Sequence, residues 1–195
     1  MRKSEINRKT KETEIFCSLN LDGKGVNEIN TGIGFLDHML NIFSHHSLID
    51  LDLLAKGDVH VDLHHTVEDV GYVLAQAIIK ALGDKKGIKR YGFFFIPMDE
   101  SLSRCVLDFS GRSELVWKVD LGLKKIGEME TELFQEFFKA FTNEAKCNLH
   151  IENLYGKNNH HIIESCFKAF ARSIKLSVEV DERIKNIIPS SKGML

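Results

Sequence analysis

Two short segments, His64-His65-Thr66-Val67-Glu68 and His160-His161-Ile162-Ile163-Glu164, carry the residues best suited to chemistry in this chain. Imidazole nitrogens and carboxylate oxygens are donors for divalent metals such as Mn²⁺, Fe²⁺, Co²⁺ or Zn²⁺, and no thiolate joins them. Positions three and four apart share a helix face, so His64 or His65 can reach a common ion with Glu68, and His160 or His161 with Glu164. Adjacent residues diverge by about 100° around a helix axis, which directs the two histidines of each pair toward different metals.

The segments lie 96 positions apart in a chain of 195 residues, one in each half. Superposing them also matches Ala75 with Ala171 and Ile78 with Ile174, as an internal duplication would. Upstream, Leu36-Asp37-His38-Met39-Leu40 falls opposite Phe134-Gln135-Glu136-Phe137-Phe138, which makes His38 and Glu136 counterparts. His38, His64, His65, Glu68, Glu136, His160, His161 and Glu164 then supply two metals with four protein ligands each, leaving positions for water or substrate on an octahedral ion. A single His-His pair reads as ordinary surface; the matched placement of five of the nine histidines argues for metal. His60 and His150 have no such counterparts and read as strand residues.

Hydrophobic periodicity outlines the elements that must position these groups. Glu12 to Leu21 and Val26 to Asn30 read as strands joined in a hairpin by the turn Asp22-Gly23-Lys24-Gly25. Phe35 to Phe43 recurs at helical spacing, Leu48 to Leu54 is a strand, and Val67 to Leu82 is a long amphipathic helix ended by Gly83 and Gly87. From Tyr91 the order restarts, with strands at 93–96, 102–109 and 115–119, a helix over 133–141, a strand over 147–154 and a helix from Ile162 to Ile174. The aromatic run Phe134, Phe137, Phe138 and Phe141 has the spacing of a core face rather than of a cofactor box. The expected fold is therefore α+β, two similar pseudo-repeated halves, each a mostly antiparallel sheet with helices packed on one face. With only two prolines and no Ser/Gly-rich linker, the chain reads as one domain, 1–195, with halves of about 1–88 and 89–180 and a tail, 181–195.

Composition narrows the partners. A hydrophobic content of 43% is ample for a core, and 26 basic against 28 acidic residues gives a net charge of −2, without the basic excess of a nucleic-acid binder. No apolar stretch is long enough to span a bilayer and no apolar run follows the charged start, so the expectation is a soluble, cytoplasmic protein. Cys17, Cys105, Cys147 and Cys166 show no C-x-x-C spacing and read as buried reduced thiols.

Five motifs resemble imidazoleglycerol-phosphate dehydratases: Gly32-Ile33-Gly34-Phe35-Leu36-Asp37-His38-Met39, His64 to Gly71, Pro97-Met98-Asp99-Glu100, Gly156 to Glu164, and Pro189-Ser190-Ser191-Lys192-Gly193. Their order agrees along nearly the whole chain. The resemblance implies a dimanganese lyase that converts imidazole glycerol phosphate into imidazole acetol phosphate and water. It also implies an α+β subunit in a 24-subunit shell with active sites between subunits. The chemistry accounts for the ligands, because a carbon-bound proton beside an imidazole is weakly acidic and metals on the ring nitrogens act as electron sinks.

Carried over by position, Glu12 matches the family's catalytic glutamate, a proton-transfer group that sequence alone would leave as a strand carboxylate. Asp99 matches a second active-site carboxylate, and Glu100 is read as its neighbour only. Arg90, Arg112, Lys168 and Lys192, aided by Ser190 and His46, match the grip on the substrate phosphate. Glu136 stands where many members have His, and Ile42 where Gln is expected. In Ser44-His45-His46-Ser47 the usual Ser-His-Gly is altered, so His46 is preferred over His45 by its distance from His38. A binuclear metallohydrolase and a metal-storage bundle are the competing readings.

Overall fold

The computed structural model describes residues 1–195 and repeats one plan twice. The first half runs β1 (Lys3–Lys9), β2 (Thr13–Asn20), β3 (Asn27–Asn30), α1 (Gly34–Ser47), β4 (Asp50–Gly57), α2 (His64–Leu82). The second runs β5 (Tyr91–Met98), β6 (Ser101–Asp108), β7 (Glu114–Lys118), a small β8 (Lys125–Ile126) and β9 (Met129–Glu130) ribbon, α3 (Glu132–Ala145), β10 (Asn148–Tyr155) and α4 (Asn159–Val178). The sheets have the same topology, β1-β2-β4-β3 and β5-β6-β10-β7. In each, the last-placed strand pairs in parallel, β3 with β4 and β7 with β10, and the other pairs are antiparallel. The α+β expectation with duplicated halves holds.

Two local expectations fail. The segments 12–21 and 26–30 do not form a hairpin with each other: β2 pairs with β1 and β4, and β3 lies across β4 as its parallel neighbour. The opening hairpin is instead β1 with β2, and β1 escaped periodicity because Lys3–Lys9 is an edge strand with little beyond Ser4 and Ile6 buried. Glu12 consequently falls in the turn between β1 and β2. His60 also lies outside any strand, in the exposed loop between β4 and α2, while His150 is in β10.

The layers are sheet, helices, helices, sheet. α2 packs on β1, β2 and β4, and α4 on β5, β6 and β10. Gly92 lets β5 approach α4 closely, since a Cβ there would stand 1.9 Å from the carbonyl oxygen of Ser173. Between the sheets the helices pack across the halves, α1 against α4 and α2 against α3. Phe134, Phe137, Phe138 and Phe141 are fully buried, and Phe138 meets Phe167 and Phe170 of α4 at centroid distances of 5.0 and 5.2 Å. The aromatic stripe is a core face, where truncating one ring costs about 3–5 kcal/mol. One apolar cluster of 44 residues runs through both halves. After α4 the chain folds back on their junction, where Asp181 N–H donates to Gly87 O and Gly87 N–H to Ile187 O. No helix is long and apolar enough to cross a membrane. All four cysteines are free and buried.

Candidate active site

Both His-His-x-x-Glu motifs open a helix, and in each an Asx side chain two residues upstream accepts from the amide of the first histidine: the N-cap Asn158 in α4, and in α2 Asp62, one residue before the N-cap Leu63. Asp62 Oδ1 accepts from His64 N at 2.9 Å, and Asn158 Oδ1 from His160 N at 2.9 Å. Such bonds satisfy amide groups that have no partner within the helix. The adjacent imidazole rings are steeply inclined to each other, at 77° with centroids 6.4 Å apart for His64 and His65 and at 80° with centroids 6.2 Å apart for His160 and His161.

Because α1 packs on α4, His38 of the first half meets the His-His-x-x-Glu motif of the second. His38, His160 and Glu164 bring one donor atom each within 4.8 Å of one another. His160 Nε2 is 3.1 Å and His38 Nε2 3.5 Å from Glu164 Oε2, while Lys168 Nζ holds Oε1 at 2.6 Å. Burial pushes the Glu164 carboxyl up, but Lys168, His160 and His38 outweigh it and hold it below the ordinary glutamate value. Phe35 packs edge-on against His160 at 5.1 Å and limits its rotation. The corresponding site on the other side is less assembled. His64 Nε2 is 3.4 Å from Glu68 Oε2, whereas Glu136, on the α3 helix that packs against α2, is paired with Lys139 at 3.1 Å.

His65 and His161 face the hairpins instead. Asp99 and Glu100 form the two-residue turn between β5 and β6, with Asp99 at φ 46°, and this turn overhangs the start of α4. Asp99 Oδ2 is 3.7 Å from His161 Nε2, and Glu100 Oε2 is 2.7 Å from His161 Nδ1. Glu100 Oε1 also accepts from the backbone amides of Lys157 and Asn158. The bond from His161, followed by those two amides, holds the Glu100 carboxyl at about 2. In the first half Glu12, in the equivalent β1–β2 turn, places Oε1 3.9 Å from His65 Nε2, and Asp58 lies 3.1 Å from His65 Nδ1. The pKa of His65 is raised by Asp58 and that of His161 by Glu100. Sequence reasoning missed Asp58 and took Glu100 for a bystander, since neither falls in the helix motif and only the folded hairpin and loop carry them there.

The six residues expected at the substrate phosphate fall into two groups. Lys168 lies midway along α4 and turns its ammonium back to Glu164 at 2.6 Å, and His46 at the end of α1 feels it: burial, then His45, Lys168 and Arg172, lower the His46 pKa. Arg90 N–H donates to Ser177 O at the C-terminal end of α4, about 13.5 Å along the axis from Lys168 at 1.5 Å per residue. Its guanidinium pairs with Asp108 at 2.6 Å and donates to Pro189 O at 3.0 Å, which ties down the tail carrying Ser190 and Lys192. Arg112 is exposed and next to Gly111, whose Cα faces the carboxyl end at Leu195. One subunit does not bring all six together.

The donors fit a divalent ion on chemical grounds. Two imidazoles and a buried carboxylate converge with no thiolate, and the adjacent lysine neutralises only one carboxylate oxygen, a set suited to Mn²⁺ and its borderline-hard neighbours.

The model of the imidazoleglycerol-phosphate dehydratase family matches residues 31–174. The imidazoleglycerol-phosphate dehydratase of Hahella chejuensis is 54% identical over 194 residues, covering 100% of this chain and 98% of that protein. That of Acetivibrio thermocellus is 55% identical over 194 residues, with 100% and 99% covered. The crystal structure of the Staphylococcus aureus enzyme superposes with a TM-score of 0.83 at 39% identity, covering 92% of this chain and 99% of that one. The Pyrococcus furiosus structure, a complex with (S)-C348, also gives 0.83, at 30% identity and 97% and 100% coverage. By sequence, motif order and fold, the chain belongs to the imidazoleglycerol-phosphate dehydratases, hydro-lyases of histidine biosynthesis.

Proposed function

We propose that the protein dehydrates D-erythro-imidazole glycerol phosphate to imidazole acetol phosphate in a reaction that depends on two Mn²⁺ ions. The observation that carries this reading is the convergence of His38, His160 and Glu164 from opposite halves of the chain. One ion is held by that group, the other by Glu136, His64 and Glu68, and His65 and His161 complete the ligand sets. When bound, the ions supply Lewis acidity to the imidazole ring of the substrate.

The protein groups do the rest. Glu12 and Asp99, one on the first hairpin of each half, stand beside Nε2 of His65 and His161 and move the protons that the dehydration takes from carbon and gives to the leaving hydroxyl. Arg90, Arg112, His46, Lys168, Ser190 and Lys192 hold the phosphate, with charge-assisted bonds suited to its oxygens.

The subunit acts as one domain, in the cytoplasm, within a 24-subunit shell whose active sites lie between subunits. Two features support assembly. His65 and His161 pair at Nε2 with Glu12 and Asp99 rather than with the Glu68 and Glu164 of their own motifs, and the outer sheet faces expose Tyr91, Phe93, Phe95 and Val106 on one side and Leu54 on the other. The test is turnover of imidazole glycerol phosphate by metal-stripped protein before and after Mn²⁺ is restored. Activity that returns with Mn²⁺ and yields a ketone with its phosphate retained supports the reading. Full activity without metal, or release of inorganic phosphate, overturns it.

A further inference from the structure

Both halves place a carboxylate behind the second histidine of the motif, and they do so from unrelated positions. Asp58, in the loop after β4, has both carboxylate oxygens within 3.2 Å of His65 Nδ1. Glu100, in the β5–β6 turn, has Oε2 at 2.7 Å from His161 Nδ1. Gly57 at the end of β4 abuts Thr66 of α2 as Gly156 just after β10 abuts Ile162 of α4, so the position matching Asp58 is Lys157, and the second half did not inherit its carboxylate from the same site as the first. A duplicated fold that reaches one geometry by two routes indicates that the geometry itself is required.

We infer that Asp58 and Glu100 are positioning residues, which accept Nδ1–H of His65 and His161 and so present each Nε2 as the free donor. A carboxylate on one ring nitrogen fixes the tautomer and the ring orientation and raises the basicity of the other nitrogen. The geometry agrees, because in both rings the Nε2 side faces the proposed catalytic carboxylate, 3.9 Å from Glu12 and 3.7 Å from Asp99. The first histidines need no such partner at Nδ1. His160 is held by Phe35 and its Nε2 already faces Glu164, and His64 Nε2 faces Glu68. The two supports also differ in kind. Glu100 anchors the Lys157 and Asn158 amides as well and thereby ties the hairpin to α4, whereas the Asp58 carboxylate faces only His65.

This inference rests on the metal reading above, and the experiment separates the two. Wild type, Asp58→Asn and Glu100→Gln are stripped of metal, and solid-state ¹⁵N NMR of labelled histidines reads the tautomers. Mn²⁺ affinity is then measured by titration against a competing chelator. Gln retains an oxygen for the Lys157 and Asn158 amides, so Glu100→Gln keeps the helix start intact. The expected result is an Nδ1–H tautomer for His65 and His161 in wild type, mixed at His65 alone in Asp58→Asn, and shifted to Nε2–H at His161 alone in Glu100→Gln, where the Gln amide group donates to Nδ1. Each variant should bind one of its Mn²⁺ ions about 10- to 100-fold more weakly, and excess Mn²⁺ should restore occupancy and turnover, which no purely structural defect would allow. Unchanged tautomers, or Mn²⁺ affinities within twofold of wild type in both variants, would overturn the positioning role while leaving the metal reading intact. A wild type that binds no Mn²⁺ would overturn both.

Discussion

Glu12 Oε1 lies 3.9 Å from Nε2 of His65, on the first hairpin of its half, as Asp99 lies 3.7 Å from His161 on the first hairpin of the other. Glu12 is exposed and hydrogen-bonded only through its backbone, so its side chain has no structural duty. Glu12→Gln should therefore leave fold and metal content unchanged and lower kcat by about 10²- to 10⁴-fold, the usual loss for a proton-transfer group. Steady-state kinetics beside metal analysis decides it, and near-normal turnover would remove Glu12 from the reaction.

Charge at the phosphate is present before and throughout the reaction, so it contributes to binding more than to the chemical step. Arg112→Ala and Lys192→Ala should raise KM by tenfold or more, at about 1.4 kcal/mol per factor of ten, with kcat little changed. Substrate and inorganic phosphate affinities equal to wild type in both variants would refute the grip.

If metal ligands come from more than one subunit, metal binding energy is also assembly energy. Chelation should convert a large particle into smaller oligomers, Mn²⁺ should restore it, and His65→Asn combined with His161→Asn should block the restoration. Sedimentation velocity measures all three, and a particle of constant size would confine the metals to single subunits.

Gly71 lies in the middle of α2, where alanine would ordinarily stabilise a helix by about 1 kcal/mol. Here an added Cβ would stand 2.5 Å from the carbonyl oxygen of Phe137 in α3. Gly71→Ala should instead destabilise by about 1–3 kcal/mol, the usual cost of overpacking, and wedge apart the two helices that carry His64, Glu68 and Glu136. A urea midpoint at or above that of wild type would contradict this.

Burial pushes the thiols of Cys17, Cys147 and Cys166 up to about 12 and raises that of Cys105 as well. They are neutral in the native state at pH 8, and a thiol reagent should label none of them until denaturant exposes all four. The sign of the linkage follows. An unfolded thiol ionises near 9.0 while the buried one keeps its proton, so above that pH the native state binds more protons and stability falls as pH rises. Rapid labelling of the native protein at pH 8, or a stability flat from pH 8 to 10, would show that the thiols are accessible.

The sequence by itself determined the donor groups, their i, i+4 spacing, the duplication and the helices that carry the motifs. All of these follow from the local repeat of a helix, which neighbours along the chain are enough to set. Tertiary structure decided which donors meet. His38 joins His160 and Glu164 because α1 packs on α4 across the halves, and nothing in the spacing of the first half points to a partner more than a hundred residues away. The edge strand β1 and the parallel placement of β3 were equally hidden, since polar edge residues lack the apolar alternation that marks a strand and parallel pairing leaves no turn signature. The same holds for the carboxylates behind His65 and His161. Asp58 and Glu100 differ in type, loop and distance along the chain from the histidines they hold, and only the fold, by bringing a loop and a hairpin over the starts of two helices, gives them one geometry.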